Sequence, residues 1–309
     1  MNLLPVALLL LVRLVGEGVL STSADEIGIT VGAGENEAFF VIRTPATVGR
    51  SLEVICHSRR AGGKWSEPEV APFSGRFRDL APALSPDGAR LYFISNRSAD
   101  GTAPKTDFDI WVVSRQGAGW SAPKPLPAPV NGPAQEYGVS VAADGTLYFA
   151  STRPGGKGEY DIYRSHPEGP GGDAWSEPEL LGDGVNTVGS EIQPAISPDG
   201  KTLVFTAFER DDELVGVHRG YRKGDLYVSH LVGGTWSKAR NAGPEVNSGA
   251  GESAPMFSAD GRSLYFVSER GFATYRLTRR LGYRELERKL GAVDNGMGNL
   301  YRVDSGVLP

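Results

Sequence analysis

Five acidic residues, Glu26, Asp79, Glu136, Glu191 and Glu252, recur at spacings of 53, 57, 55 and 61 residues, each opening a short apolar stretch. Carboxylates gathered from such a repeat could hold a hard cation through oxygen ligands, bind a cationic group, or serve as the acid and base of a glycosidase. The last task needs two carboxyl groups ~5 or ~6.5–9.5 Å apart, depending on mechanism. Crowding of like charges would raise some of their pKa values. A competing reading lies in the same spacing. Arg97, Arg153 and Arg270 close the second apolar stretch of their units, and Asp109, Asp161 and Asp225 open the third. An acid-Arg-acid network within each unit, such as Glu136, Arg153 and Asp161, collects charge without chemistry. Arg43 and Arg210 are each displaced by one position, and the fifth unit has Asn299 instead of Asp.

Other chemistry finds little support. There is no G-x-S-x-G nucleophile elbow, no H-E-x-x-H zinc helix and no phosphate-cradling glycine loop. Cys56 is the only cysteine, which rules out an intrachain disulfide or a multi-cysteine metal site. His57, His166 and His230 fall at the ends of third stretches, at no metal-ligand spacing. The formal charge is −5 and no long Lys/Arg run exists, which speaks against nucleic acid as a partner. No cofactor is implied beyond a Ca²⁺ ion at an acid ring.

The elements that must position these groups are strands. The acids open EIGITV, DLAPAL, EYGVSV, EIQPAI and ESAPMF, and second strands such as LYFISNR, LYFASTR and LYFVSER follow across SPDG, AADG or SADG turns. In such turns Asp bonds its own backbone and Gly takes a positive φ. Third strands read LEVICH, DIWVVS, DIYRSH, DLYVSH and NLYRVD. Fourth strands begin at Trp65-Ser66, Trp120-Ser121, Trp175-Ser176 and Trp236-Ser237, with none after Asn299. With Gly 41 and Pro 21, the composition suits many tight turns. Four antiparallel strands at this period predict an all-β propeller of five four-stranded blades, the last incomplete or closed by residues before Glu26; a six-bladed ring is the alternative. The tryptophans are expected to pack between blades.

The ordered motifs, SPDGxxLYFxSxR followed by DIW or DIY, Trp-Ser-x-Pro, and the dipeptides Val130-Asn131, Val185-Asn186 and Val246-Asn247, resemble the TolB-like, WD40-like propeller repeats of bacterial envelope proteins. The resemblance covers residues 26 to 304. It implies a single propeller domain over 26–309 that binds a protein, peptide or glycan, and names no reaction.

Two further expectations concern the ends of the units. Leu3 to Val12 is apolar and residues 1–24 resemble a secretory leader cut near Ala24, which places the protein in the periplasm or outside the cell. No run could cross a bilayer, and a monomer is expected. The insertion 271–298 after the last second strand carries Tyr283, Leu286 and Leu290 at helical spacing, with Gly291 as a stop. Its Arg284, Arg288 and Lys289 are candidates to face an acidic partner.

Overall fold

The computed structural model describes residues 12–45, 51–169, 174–210, 224–272 and 279–309. Residues 1–11 of the expected leader, and His218, lie outside these. Five antiparallel sheets stand around one axis, and each begins with an inner strand: Asp25–Val31, Asp79–Leu84, Glu136–Val141, Ser190–Ile196 and Glu252–Phe257. The five-bladed propeller expected from the repeat is the fold observed.

The second strands explain why the blades stack. They are aromatic and β-branched on both faces, and Phe93, Phe149, Phe205 and Phe266 are wholly buried. Each contributes about 1.5–3 kcal/mol through burial, and truncating one to Ala costs about 3–5 kcal/mol. Core clusters run from one blade to the next. One joins Tyr92 and Ile110 of blade two to Phe149 and Trp175 of blade three, and another joins Tyr148 of blade three to Phe205 and Trp236 of blade four. Tyr148 meets Trp236 edge-on at 6.1 Å. The SPDG turn is scaffold: Ser85 Oγ donates to Asp87, whose carboxylate also accepts from the Ala89 amide, and Gly88 takes φ 70°. The Ser85 bond leads in holding the Asp87 carboxyl below its usual range.

Trp-Ser marks a break in the outer strand rather than its start. The tryptophan ends a two-residue pairing, with the third strand in blades one, two and four and with Pro167–Glu168 just beyond it in blade three, and pairing with the third strand resumes at Glu69–Val70, Lys124–Pro125, Glu179–Leu180 or Arg240–Asn241. Ser66, Ser121, Ser176 and Ser237 bridge the gap, each hydroxyl accepting a third-strand amide at 2.9–3.1 Å.

The fifth blade takes its fourth strand from the other end of the chain. Arg13–Leu14 pairs antiparallel with Asn299–Asp304. Leu20 and Ser21 are wholly buried; Ser21 Oγ donates to the Val15 carbonyl at 2.9 Å and accepts the Leu300 amide at 3.1 Å. The expected boundary at Ala24 therefore falls inside the folded ring. The sequence from Arg13 to Glu26 is a further copy of the link between blades: RLVGEGVLSTSADE stands where ELLGDGVNTVGSE stands from Glu179 to Glu191. Ser21 does for Leu300 what Asn186 does for Ile162, whose amide and carbonyl it binds at 2.8 and 3.0 Å.

The candidate site at the channel mouth

The five strand-opening acids occupy equivalent places, but none faces the channel: every one is fully buried. The cause is a bulge in each inner strand just after the acid, where the pairing register shifts. Ala81, Gly138, Gln193 and Ala254, each two residues past its acid, take φ of 48–75°. That bulge turns these residues toward the axis. Gly28, Ala81, Gly138, Gln193 and Ala254, with Pro82, Pro194 and Pro255, surround an axial space of only about 20 Å³. The channel is therefore plugged.

Each acid is instead part of a clip between blades. Asp79 binds Arg97 at 2.5 Å, Glu191 binds Arg210 at 2.9 Å, and Glu136 and Glu252 bind Arg153 and Arg270 at 3.2 Å. The same guanidiniums donate to the carbonyls of Phe73, Val130, Val185 and Val246 in the link from the preceding blade. They also lie 4.7–5.6 Å over an aromatic pair, Phe93 and Trp111 in blade two and its equivalents elsewhere. Arg210, one position late in sequence, still reaches this place because Glu209, at φ 63°, absorbs the extra residue. Arg43, one position early, lands on the other face of its strand and pairs with Asp25 at 3.2 Å.

The expected third member of each network goes elsewhere. Asp109 is bound by Lys105, Asp161 accepts the amides of Lys157 and Gly158, and Asp225 accepts from Asn241. These partners lie close by, on the same strand for Asp109, in the preceding loop for Asp161 and on the neighbouring outer strand for Asp225, so the third-strand acids settle with them and not with the arginines.

A second device, which spacing alone did not reveal, caps the acids. Thr22, Thr187 and Ser248, four residues before Glu26, Glu191 and Glu252, each give an amide and a hydroxyl to the carboxylate, and Ser74 gives its hydroxyl to Asp79. In blade three Gly132 holds that position, and Oε2 of Glu136 is buried without a partner. Burial pushes Glu136 up to about 7 against the pull of Arg153 and Ser151. Burial likewise takes Glu26, which has a cap but no guanidinium, up to about 7. Asp79 and Glu252 are raised by the same cause. Among the described residues no group of three or more His, Cys, Asp or Glu is placed to hold a metal ion, so the acid ring offers Ca²⁺ no cage there.

What opens to solvent at this end is a cup of about 170 Å³. Its walls are mixed: Ile27, Leu80, Ile94, Ile192, Phe208 and Val267 line it together with Asp25, Arg43 and Glu269. Gln193 closes the bottom; its Oε1 accepts from the Ala254 amide and the Thr206 hydroxyl, both at 3.1 Å. A side lobe of about 220 Å³, shared through Tyr137, Ile192 and Phe208, runs outward past Tyr160.

Beside the mouth, the insertion forms the expected helix, Tyr283–Leu290, with the Gly291 amide bonding the Glu287 carbonyl at its end. Tyr283, Leu286 and Leu290 are not packed on the ring but exposed, as are Arg284 and Arg288. Lys289 is held over the Phe272 ring at 5.1 Å. His57, His166 and His230 lie toward the opposite rim: His166 and His230 contact the hydroxyls of Thr146 and Thr202, and His57 stacks on Phe39.

No protein-family profile and no curated protein matches the chain. Among solved structures it is similar to a putative TolB from Agrobacterium tumefaciens (19% identity, TM-score 0.45, covering 76% of this chain and 70% of that one). It is similar also to a puromycin-hydrolysing peptidase of Mycobacterium tuberculosis (15%, 0.43), spanning 41% of that enzyme, and to a gluconolactonase of Xanthomonas campestris (16%, 0.39), spanning 57%. Likeness at this level carries no argument about activity. No helix among the described residues is long and apolar enough to cross a membrane.

Proposed function

We propose that the protein is a non-catalytic, exported propeller that captures a protein, peptide or glycan at its loop-bearing mouth. The observation that carries this reading is the burial of all five strand-opening acids, four of them clamped to arginines and the fifth capped by Thr22. A glycosidase needs two carboxyl groups within reach of substrate; these are sealed from solvent and serve the seams between blades. The cup and its side lobe, open on one side and plugged below, are shaped for binding. The exposed Arg284 and Arg288 extend the surface toward an acidic part of the partner. On this reading any leader is removed ahead of Val12, because a cut at Ala24 would strip the fifth blade of its outer strand.

The test is a pair of variants compared with a control. Ser253→Trp fills the cup, Arg284→Glu with Arg288→Glu reverses the rim charge, and Thr235→Trp adds the same bulk on the opposite face. Binding to immobilised peptide and glycan libraries should be lost in the first, weakened in the second and unchanged in the control, with the same melting temperature throughout. Binding that survives Ser253→Trp, or sugar release from a glycan panel, would refute the proposal.

A further inference from the structure

We propose that the cup receives the neutral end of a glycan, one pyranose ring deep, with a second ring in the side lobe; this rests on the mouth-binding reading above. Among the described residues, the groups at the cup whose hydrogen bonding is incomplete are all neutral. Tyr137 Oη and Ser253 Oγ make no hydrogen bond to another described residue, although Tyr137 lines both lobes and Ser253 lines the cup. Gln193 commits its Oε1 to the Ala254 amide and Thr206, and since a backbone amide can only donate, this orients the side chain and leaves Nε2 as a free donor at the bottom. Ser190 brings a further uncommitted hydroxyl to the side lobe.

The charges near these groups are already engaged. Asp25 is bound to Arg43 and to the Gly298 amide, and Glu252 to Arg270 and Ser248; Glu269 at the cup and Glu159 at the side lobe have partners as well. A peptide terminus would bring a carboxylate or ammonium into a cup with no opposite charge free to meet it. The plug at Gln193 closes the axis, so no peptide can thread the ring. The cup instead takes a chain end without charge. At about 170 Å³ it is smaller than the ~300–1,000 Å³ of pockets for drug-sized ligands, a size for one ring. Hydroxyls that both donate and accept, one amide donor, and the faces of Tyr137 and Phe208 match a pyranose, which has hydroxyls around its edge and C–H groups on its faces.

The intact protein should be titrated by calorimetry and saturation-transfer NMR with neutral di- and trisaccharides of the gluco, manno, galacto and N-acetylglucosamine series. Capped neutral peptides and free-terminus peptides serve as comparators. One sugar series should bind, and Tyr137→Phe and Ser253→Ala should each weaken it about tenfold, the loss expected for one hydrogen bond, with unchanged melting temperature. If sugars bind the double variant as they bind the original protein, they bind elsewhere and the inference is overturned. If no sugar binds while a peptide does and loses affinity in Ser253→Trp, the glycan inference falls and the mouth reading stands. If neither class binds, both fall.

Discussion

Replacing Gly132 by Thr should stabilise the protein, and the reason is local. Four of the five buried acids receive a hydroxyl from Thr22, Ser74, Thr187 or Ser248 in the preceding link; Glu136 receives none from its link, where Gly132 stands four residues before it. A Cβ at Gly132 meets nothing within 4 Å, and its φ lies outside the left-handed region, so the new side chain has room. A hydrogen bond to a charged group contributes about 1.5–3 kcal/mol, and the loss of glycine's freedom in the unfolded chain adds about 0.5 kcal/mol. For a chain of this size that raises the melting temperature by roughly 2–5 °C. The pH dependence provides a second readout. With Glu136 near 7 in the fold and 4.5 as its ordinary value, the folded state holds more protons than the unfolded one between those limits. Stability therefore falls as pH rises from about 4.5 to 7, by on the order of 3 kcal/mol for this group. Denaturant unfolding measured from pH 4.5 to 8 should show that fall in the original protein and a shallower one in Gly132→Thr, with the gain largest at the alkaline end. A variant no more stable than the original at pH 8, or one with the same pH slope, would refute the capping argument. Thr187→Gly, which uncaps Glu191, should act in the opposite direction.

Two other changes probe the seam between the first and last blades. Ser21→Ala leaves the Leu300 amide buried without its acceptor and should cost about 2–3 kcal/mol, read by denaturant unfolding, with earlier proteolysis within residues 12–24. Glu35 accepts the Tyr265 hydroxyl at 2.8 Å and the Arg302 guanidinium at 2.5 Å across the same seam. These groups are partly exposed, so Glu35→Gln should cost only about 1 kcal/mol, with the effect reduced in high salt. At one bulge, Ala254→Gly should be neutral or slightly stabilising by melting temperature, because alanine at φ 48° is strained where glycine is not.

The blades were legible because a repeated pattern constrains each of its copies: the aromatic second strands, the Asp-Gly turns and the Trp-Ser breaks all recur in order. The pairing of Asp79, Glu136 and Glu252 with Arg97, Arg153 and Arg270 was legible for the same reason. The direction of those acids was not. A bulge two residues further on decides whether they face the axis, and its signature is weak: an alanine at 81 and 254, a glutamine at 193 and a glycine at 138 make no common motif. Asp109, Asp161 and Asp225 misled because their true partners, Lys105, the amides of Lys157 and Gly158, and Asn241, differ from blade to blade. The closing strand was hidden by its composition. Arg13 to Ala24 follows an apolar run and ends in small residues, features of a leader, while Ser21 in place of Asn disguised the link motif. The cup was beyond reach of motif reading, since Tyr137, Gln193 and Ser253 come from three blades and each is unlike its counterparts.

The pairing of Arg13–Leu14 with Asn299–Asp304 also sets an order of events. The strand at Arg13–Leu14 waits for one some 285 residues later, so a chain that stops before Asn299 cannot complete the ring. Joining ends separated by some 285 residues costs about 5 kcal/mol of chain entropy, to be offset by the contacts of the last blade. Until then Leu20 and the aromatic faces of blades one and five stay open to water. A stalled or shortened chain is thus marked by exposed apolar surface, and a complete one hides it in a single step.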